Sequence, residues 1–221
     1  MGASDVKVKI MYKYDLHVHS RYSGDNDSDP EDIIEFAIEA DLDGIAFTEH
    51  YSYEASEYVI ALQEKYKKWI SIIRGIEFSA REGHCLVFGV NTDRVLEKGS
   101  RIEEVIERIN SLGGIAVPAH PYRGAEGIGD RVFKLSGLTA IEGYNGCNIH
   151  AFNQHSIEAA TKLGICFTGG SDAHLPSDVG SCYTIFKEQA SQDNIVELLK
   201  NGGFTGFDNR RISRLTNFFN R

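Results

Sequence analysis

The sequence is short of cysteine, of basic charge and of long apolar runs, and each shortage closes off a class of function. Four cysteines in 221 residues, Cys85, Cys147, Cys166 and Cys182, form no C-x-x-C pair and sit in apolar or glycine-rich runs. That spacing supplies neither a thiolate zinc site nor a disulfide framework, so reduced, mostly buried thiols are expected. Lys and Arg number 23 against 32 Asp and Glu, a formal net charge of −9. Such a balance lacks the electrostatic footprint of a nucleic-acid or anionic-membrane binder. The basic residues Arg210, Arg211, Arg214 and Arg221 are the local exception and read as a solvated helix face. No apolar run is long enough to cross a bilayer, and residues 1–10 hold no signal-peptide core, so a cytoplasmic location without a membrane partner is expected. The glycines form neither G-x-G-x-x-G nor a phosphate loop with lysine, which removes the two commonest nucleotide cradles.

What is present is the composition of a globular domain, 42% hydrophobic and 25% charged. The length suits one domain over 1–221 with a sizeable core. Short β-branched runs alternate with amphipathic stretches. Strands are expected near 14–20, 44–50, 69–79, 84–90, 114–120, 138–145, 165–174 and 181–186. Asp29 followed by Pro30, Glu31 and Asp32 opens a helix with an apolar stripe of Ile33, Ile34, Ala37 and Ile38, which Gly44 ends. A tyrosine-rich helix follows over 53–68. Ser100 with Glu103 reads as a capping box for a helix whose stripe is Ile102, Val105, Ile106 and Ile109. An irregular helix is expected within 122–137, and regular ones over 149–163 and 191–200, before a polar tail. This rhythm implies parallel strands joined by crossovers, closed or nearly closed into a distorted TIM-like (β/α)7 barrel, or else an open doubly wound sheet.

The polar residues fall where such a barrel would use them. His17 and His19, two apart on one strand, project from the same face. These two, with His50, Glu77, His120, Asp172 and His174, end apolar runs at or near the C-terminal ends of predicted strands, the face on which barrel active sites are built. His84 stands at a strand start. His150 and His155 lie on a predicted helix and read as surface residues.

Taken in order, DLHVHS, TEH, GIEFS, a lone histidine before a strand, PAHP and GSDAH resemble the PHP (polymerase and histidinol phosphatase) family of metal-dependent phosphoesterases, across roughly residues 14–209. The resemblance implies a distorted barrel of about seven βα units holding three divalent ions. It implies that His17, His19, Glu77 and Asp172 hold the first ion. Glu77 would bridge to a second, completed by His84 and His120, and Asp25, His50 and His174 would hold a third. Asp25 sits in a Ser-Gly-Asp order that departs from some members. Mixed histidine and carboxylate ligands suit Zn, Mn or Fe.

Three such ions would outweigh the carboxylates of Asp25, Glu77 and Asp172 and attract a phosphate dianion into an acidic protein. A metal-bound hydroxide would then be available near neutral pH to attack phosphorus, with charge on the phosphoryl oxygens neutralised by the remaining ion. Arg21 and Arg123 are candidate phosphate clamps. Tyr22, Tyr51 and Asn145 are candidate pocket residues. The proton for the leaving group falls to Asp172, His174 or a metal-bound water. The chain has no long insertion to form a specificity cap, so the expected partner is a small phosphorylated metabolite. A nuclease or proofreading module fits the acidic balance poorly. An amidohydrolase would bridge its metals with a strand-end lysine, whereas Lys98, Lys134 and Lys162 fall in predicted loops or helices. A non-catalytic metal-binding domain would leave an intact ligand set without a purpose.

Overall fold

Asp29 caps the first helix as its sequence directs, its side chain accepting from the Glu31 amide at 2.9 Å while Pro30 takes the first helical position. The structure, a computed structural model, describes residues 11–50 and 52–210. In chain order it runs β1 (Tyr12–Val18), α1 (Pro30–Glu39), β2 (Gly44–Phe47), α2 (Val59–Tyr66), β3 (Ser71–Ser79), β4 (His84–Phe88), α3 (Ile102–Ser111), β5 (Ile115–Pro118), β6 (Ala140–Asn145), α4 (His150–Leu163), β7 (Cys166–Gly170), β8 (Cys182–Phe186), α5 (Ile195–Asn201) and β9 (Thr205–Asp208).

Several local expectations shift. The turn after α1 is made by Asp41 at φ 56°, not by Gly44. Gly44 instead opens β2 against the Tyr14 ring, where an added Cβ would stand 2.1 Å from a ring carbon. The cap of α3 moves one residue: Arg101 is the N-cap and Glu104, not Glu103, accepts its amide at 3.0 Å. The tyrosine-rich helix divides into a 3-10 turn at Tyr53–Ser56 and α2. The segment 122–137 holds two 3-10 turns, Gly124–Glu126 and Gly129–Lys134. β9 lies in what reads as polar tail. Cys85 and Cys182 are buried as expected, Cys166 is half-buried and Cys147 is exposed, all four free.

The expected closed barrel of parallel strands is corrected to a curled half-barrel. Seven strands form one sheet in the order β5-β4-β3-β2-β1-β8-β9, and β6 pairs with β7 separately. Pairing is parallel for β1–β2, β2–β3 and β6–β7. It is antiparallel for β3–β4, β4–β5, β1–β8 and β8–β9. The four-residue link between β3 and β4 is too short for a parallel crossover, which enforces the reversal. The β6–β7 pair meets the sheet through a parallel bridge from Val18 to Ala173 and through the Gly169 amide, which donates to Thr184 Oγ1 at 2.9 Å. No backbone ladder joins β5 to β6 among the described residues.

Apolar side chains collect in three clusters. One gathers Tyr14, Leu16, Ile73, Leu86, Phe88 and Val117 from the strands. A second packs Ile33 and Ile34 of α1 and Val59 of α2 on Ile45 and Phe47. The third sets the stripe of α3 against Val87, Ile141 and Ala159. Each large side chain so buried contributes about 1.5–3 kcal/mol, which anchors the strand ends that carry the polar residues. No helix among the described residues is long and apolar enough to cross a membrane.

Candidate metal centre

Two isolated bridges bring the ligand-type residues into register, each joining the end region of a strand to a segment outside the regular strands. Val18 pairs with Ala173, and His50 with Glu77. The first is reinforced by the Asp172 amide donating to the His17 carbonyl at 2.7 Å and the His19 amide donating to the Ala173 carbonyl at 2.9 Å. His84 begins β4, but β4 runs antiparallel to β3, so its start lies beside Ser79 at the end of β3. The reversal puts a strand-start histidine on the same face as the strand-end ones.

Glu77 stands in the middle. Its Oε1 lies 2.7 Å from His120 Nε2 and 3.0 Å from His84 Nδ1. Its Oε2 lies 3.3 Å from both His17 Nε2 and His19 Nε2, and 3.1 Å from His50 Nδ1. Asp172 Oδ1 is 3.4 Å from His17 Nε2 and 3.3 Å from His19 Nε2. Asp172 Oδ2 accepts from Arg123 at 2.7 Å and from Asn145 Nδ2 at 3.2 Å. Three overlapping groups thus offer converging donor atoms: His17, His19, Glu77 and Asp172; Glu77, His84 and His120; and His19, His50 and His174.

These groups fit divalent cations. His17 Nε2 and His19 Nε2 are fully buried and make no hydrogen bond, although both face the same two carboxylates. Leaving buried polar nitrogens unbonded costs roughly 1–3 kcal/mol each unless something else satisfies them, and a cation between imidazole and carboxylate does so. His17 Nδ1 lies 2.9 Å from Glu142 Oε1, which fixes the proton there and frees Nε2. Backbone strain points to the same place: His120 at φ 28° and Asp172 at φ 57° occupy the left-handed region that L-residues avoid.

Electrostatics of the metal-free site follow from its crowding. Burial opposes ionisation of Glu77, but the surrounding imidazoles, His17 foremost, hold its carboxyl well below the usual range. Asp172 is held down likewise by His17 and His19. Burial disfavours charge on His19, yet Asp172 and Glu77 outweigh it and push the imidazole up to about 9. His17 is raised well above its ordinary value against the same burial penalty by Asp172, Glu142 and Glu77. His50 goes the other way, to about 4, through burial and its cationic neighbour His19. An incoming cation therefore displaces protons from His17 and His19.

Comparison with known proteins assigns the family. Residues 150–203 match the family model described as PHP-associated. An uncharacterized protein of Methanocaldococcus jannaschii is 30% identical over 144 residues, 60% of this chain and 81% of that protein. The chain belongs to the PHP family.

Solved structures agree on the fold of this PHP chain. PsfC from Pseudomonas syringae superposes with a TM-score of 0.71 at 18% identity, over 90% of this chain and 92% of PsfC. A protein from Bifidobacterium adolescentis assigned as a metal-dependent phosphoesterase gives 0.62 at 16%, over 86% and 96%. An amidohydrolase from Chromobacterium violaceum, with bound sulfate and no metal, gives 0.59 at 19%, over 76% and 89%.

Against the PHP motifs, the structure gathers His17, His19, His50, Glu77, His84, His120, Asp172 and His174 at one end of the sheet. Asp25 joins them at the exposed edge, its Oδ2 3.0 Å from His174 Nε2 and 3.2 Å from His50 Nε2. The third group also takes in His19, which the motif order does not indicate. Arg123 reaches the cleft, donating to Asp172, to Asn148 Oδ1 at 2.7 Å and to Asn145 Oδ1 at 2.5 Å. Arg21 does not: its guanidinium pairs with Asp29 at 2.5 Å, at the exposed start of α1. Tyr22 stacks on Tyr58 with ring centroids 4.2 Å apart, and Asn145 is buried behind Asp172. His150 and His155 are exposed. Tyr51, Arg211, Arg214 and Arg221 lie outside the described residues, whereas Arg210 is bonded to Asp208 and to the carbonyls of Gly146 and Asn148. The sequence reading missed Glu142, whose Oε2 accepts the His120 amide at 2.7 Å while its Oε1 holds His17. The only signal for it is an acidic residue inside the apolar run AIEGYN.

Proposed function

We propose that the chain is a metal-dependent hydrolase of small phosphate monoesters. The observation that carries the reading is the division of Glu77, one carboxylate oxygen facing His84 and His120 and the other facing His17, His19 and His50. His17, His19, Glu77 and Asp172 would hold one divalent ion, Glu77, His84 and His120 a second, and His50 and His174 with Asp25 or His19 a third. Bound there, Zn, Mn or Fe supplies Lewis acidity toward a phosphoryl oxygen and lowers the pKa of water to roughly 7.

The residues around these positions favour a phosphoester. The cleft has a volume of about 320 Å³, and its lining includes Asp25, Ser79, Arg123 and Glu126 but no lysine. That size suits a small ester better than a nucleic-acid strand, and a lysine bridge of the amidohydrolase type has no owner there. Arg123 spends three of its five N–H donors on Asp172, Asn145 and Asn148 and faces Glu126 at 3.6 Å, so an arriving phosphoryl group would take up the remaining donors in competition with Glu126. Those same bonds orient it, so little side-chain freedom is lost when an anion arrives. Asp172, held well down and bonded to Arg123, has no proton to give, which leaves solvent, or His174 when no third ion is bound, to protonate the leaving group.

The test is phosphate release from an aryl phosphate by zinc-, manganese- and iron-loaded protein, then from a panel of sugar, nucleotide and amino-alcohol monophosphates. Hydrolysis that disappears on chelation and returns with metal is the expected result. Turnover that survives exhaustive chelation would overturn the reading.

A further inference from the structure

Beneath His19 lies a buried carboxylate that the site described so far does not use. Glu49 directly precedes His50 and is fully buried. Its oxygens accept from the Ser20 amide at 3.1 Å, Ser20 Oγ at 2.6 Å, Tyr58 Oη at 2.5 Å and Ser23 Oγ at 2.5 Å. Each of those contacts presents a donor to a carboxylate oxygen.

Ser23 is therefore a donor toward Glu49, and this decides what it does on its other side. A serine hydroxyl has one proton and two lone pairs. With the proton committed to Glu49, both lone pairs remain, and two groups meet the oxygen: His19 Nδ1 at 2.9 Å and the His50 amide at 3.2 Å. His19 Nδ1 must then carry a hydrogen, so that once the ring is neutral its lone pair is on Nε2. That nitrogen lies 3.3 Å from both Glu77 Oε2 and Asp172 Oδ1 and has no hydrogen bond of its own.

We propose that Glu49, acting through Ser23, is a positioning residue that holds His19 with its proton on Nδ1 and its Nε2 lone pair toward the metal cluster. This rests on the metal-centre reading above. The two adjacent histidines are thus set by different devices: His17 is backed directly by Glu142 at 2.9 Å, and His19 is backed across an intervening hydroxyl. Ser23 also grips the backbone of His50, so one hydroxyl orients residues from two of the three ligand groups. Glu77, His84 and His120 lie outside its reach.

The test compares wild type with Ser23→Ala and Glu49→Gln in zinc affinity, by competition with a chromophoric chelator, in zinc bound per chain, and in the imidazole N–H resonances of the zinc-loaded protein. Metal-free thermal unfolding monitors the fold. Glu49→Gln removes the negative charge that holds the Ser23 proton, so that proton is freer to turn toward His19, and the variant should act in the same direction as Ser23→Ala. Both variants are expected to bind zinc about 10–100-fold more weakly and to lose some of the bound zinc. Both should lose the protected His19 N–H signal while keeping that of His17. Unchanged affinity in folded variants, or loss of both N–H signals in step with the fold, would overturn the relay. Failure of the wild type to bind zinc would instead overturn the metal centre and the relay with it.

Discussion

Asp172 and His17 are joined twice: the Asp172 amide donates to the His17 carbonyl at 2.7 Å, and its carboxylate Oδ1 lies 3.4 Å from His17 Nε2. The backbone bond pins the strand ends together, and the side-chain approach is what that pinning delivers. Its cost is visible at Asp172, which sits at φ 57° to turn its carboxylate inward. In metal-free protein, Asp172→Gly should therefore be more stable than Asp172→Ala by about 1 kcal/mol, because only glycine adopts this conformation without strain. Urea unfolding of the two variants measures the difference, and both should bind less metal than wild type.

Glu77→Gln tests the shared carboxylate. Shape and burial are kept, but the charge facing both groups of imidazoles is gone. Zinc content should fall in both groups and turnover should drop more than about a hundredfold, with a native circular dichroism spectrum. Elemental analysis of the purified variant, alongside phosphate release, supplies the check.

Metal affinity should rise with pH. His19 is pushed up to about 9 and His17 is raised in the same direction, so at neutral pH a cation competes with protons on both. Raising the pH towards 9 removes that competition, at up to tenfold in apparent affinity per unit for each proton displaced. His50, lowered to about 4, is already neutral over this range and adds nothing. Chelator competition at pH 6, 7, 8 and 9 would reveal the slope, and a flat profile would contradict it.

Arg123→Lys should separate substrate binding from metal retention. Lysine cannot span Asp172, Asn145 and Asn148 with one ammonium, so the oriented fork is lost although the charge remains. KM for a phosphate monoester should rise about tenfold or more, as for loss of a charge-assisted hydrogen bond. Zinc content should stay near that of wild type. Steady-state kinetics and metal analysis on one preparation give both readouts.

Most of the proposed ligands were legible in the sequence because they end apolar runs, and strand ends in this architecture meet at one face, whereas His84 starts β4. It also gave helices such as α1, where Asp29 and Pro30 announce the start. It did not give strand direction: the turn at residues 80–83 reverses the chain, and nothing in the periodicity of β4 distinguishes a parallel from an antiparallel neighbour. Glu142, Ser23 and Glu49 were hidden for another reason. They touch the proposed ligands and do not line the cleft, and their hydrogen-bond partners lie up to 125 residues away. Arg21 follows His19 by two residues yet turns away from the cleft, because Asp29 at the start of α1 offers its guanidinium a partner.

The missing ladder between β5 and β6 leaves a seam down one side of the molecule. Glu142 stitches it by accepting the His120 amide, and Arg123 adds stitches to Asn145 and Asn148. Beside the apolar packing there, the polar bonds across that side come from side chains in and behind the cleft. Drift in these residues toward new chemistry would loosen the wall as it reshaped the opening.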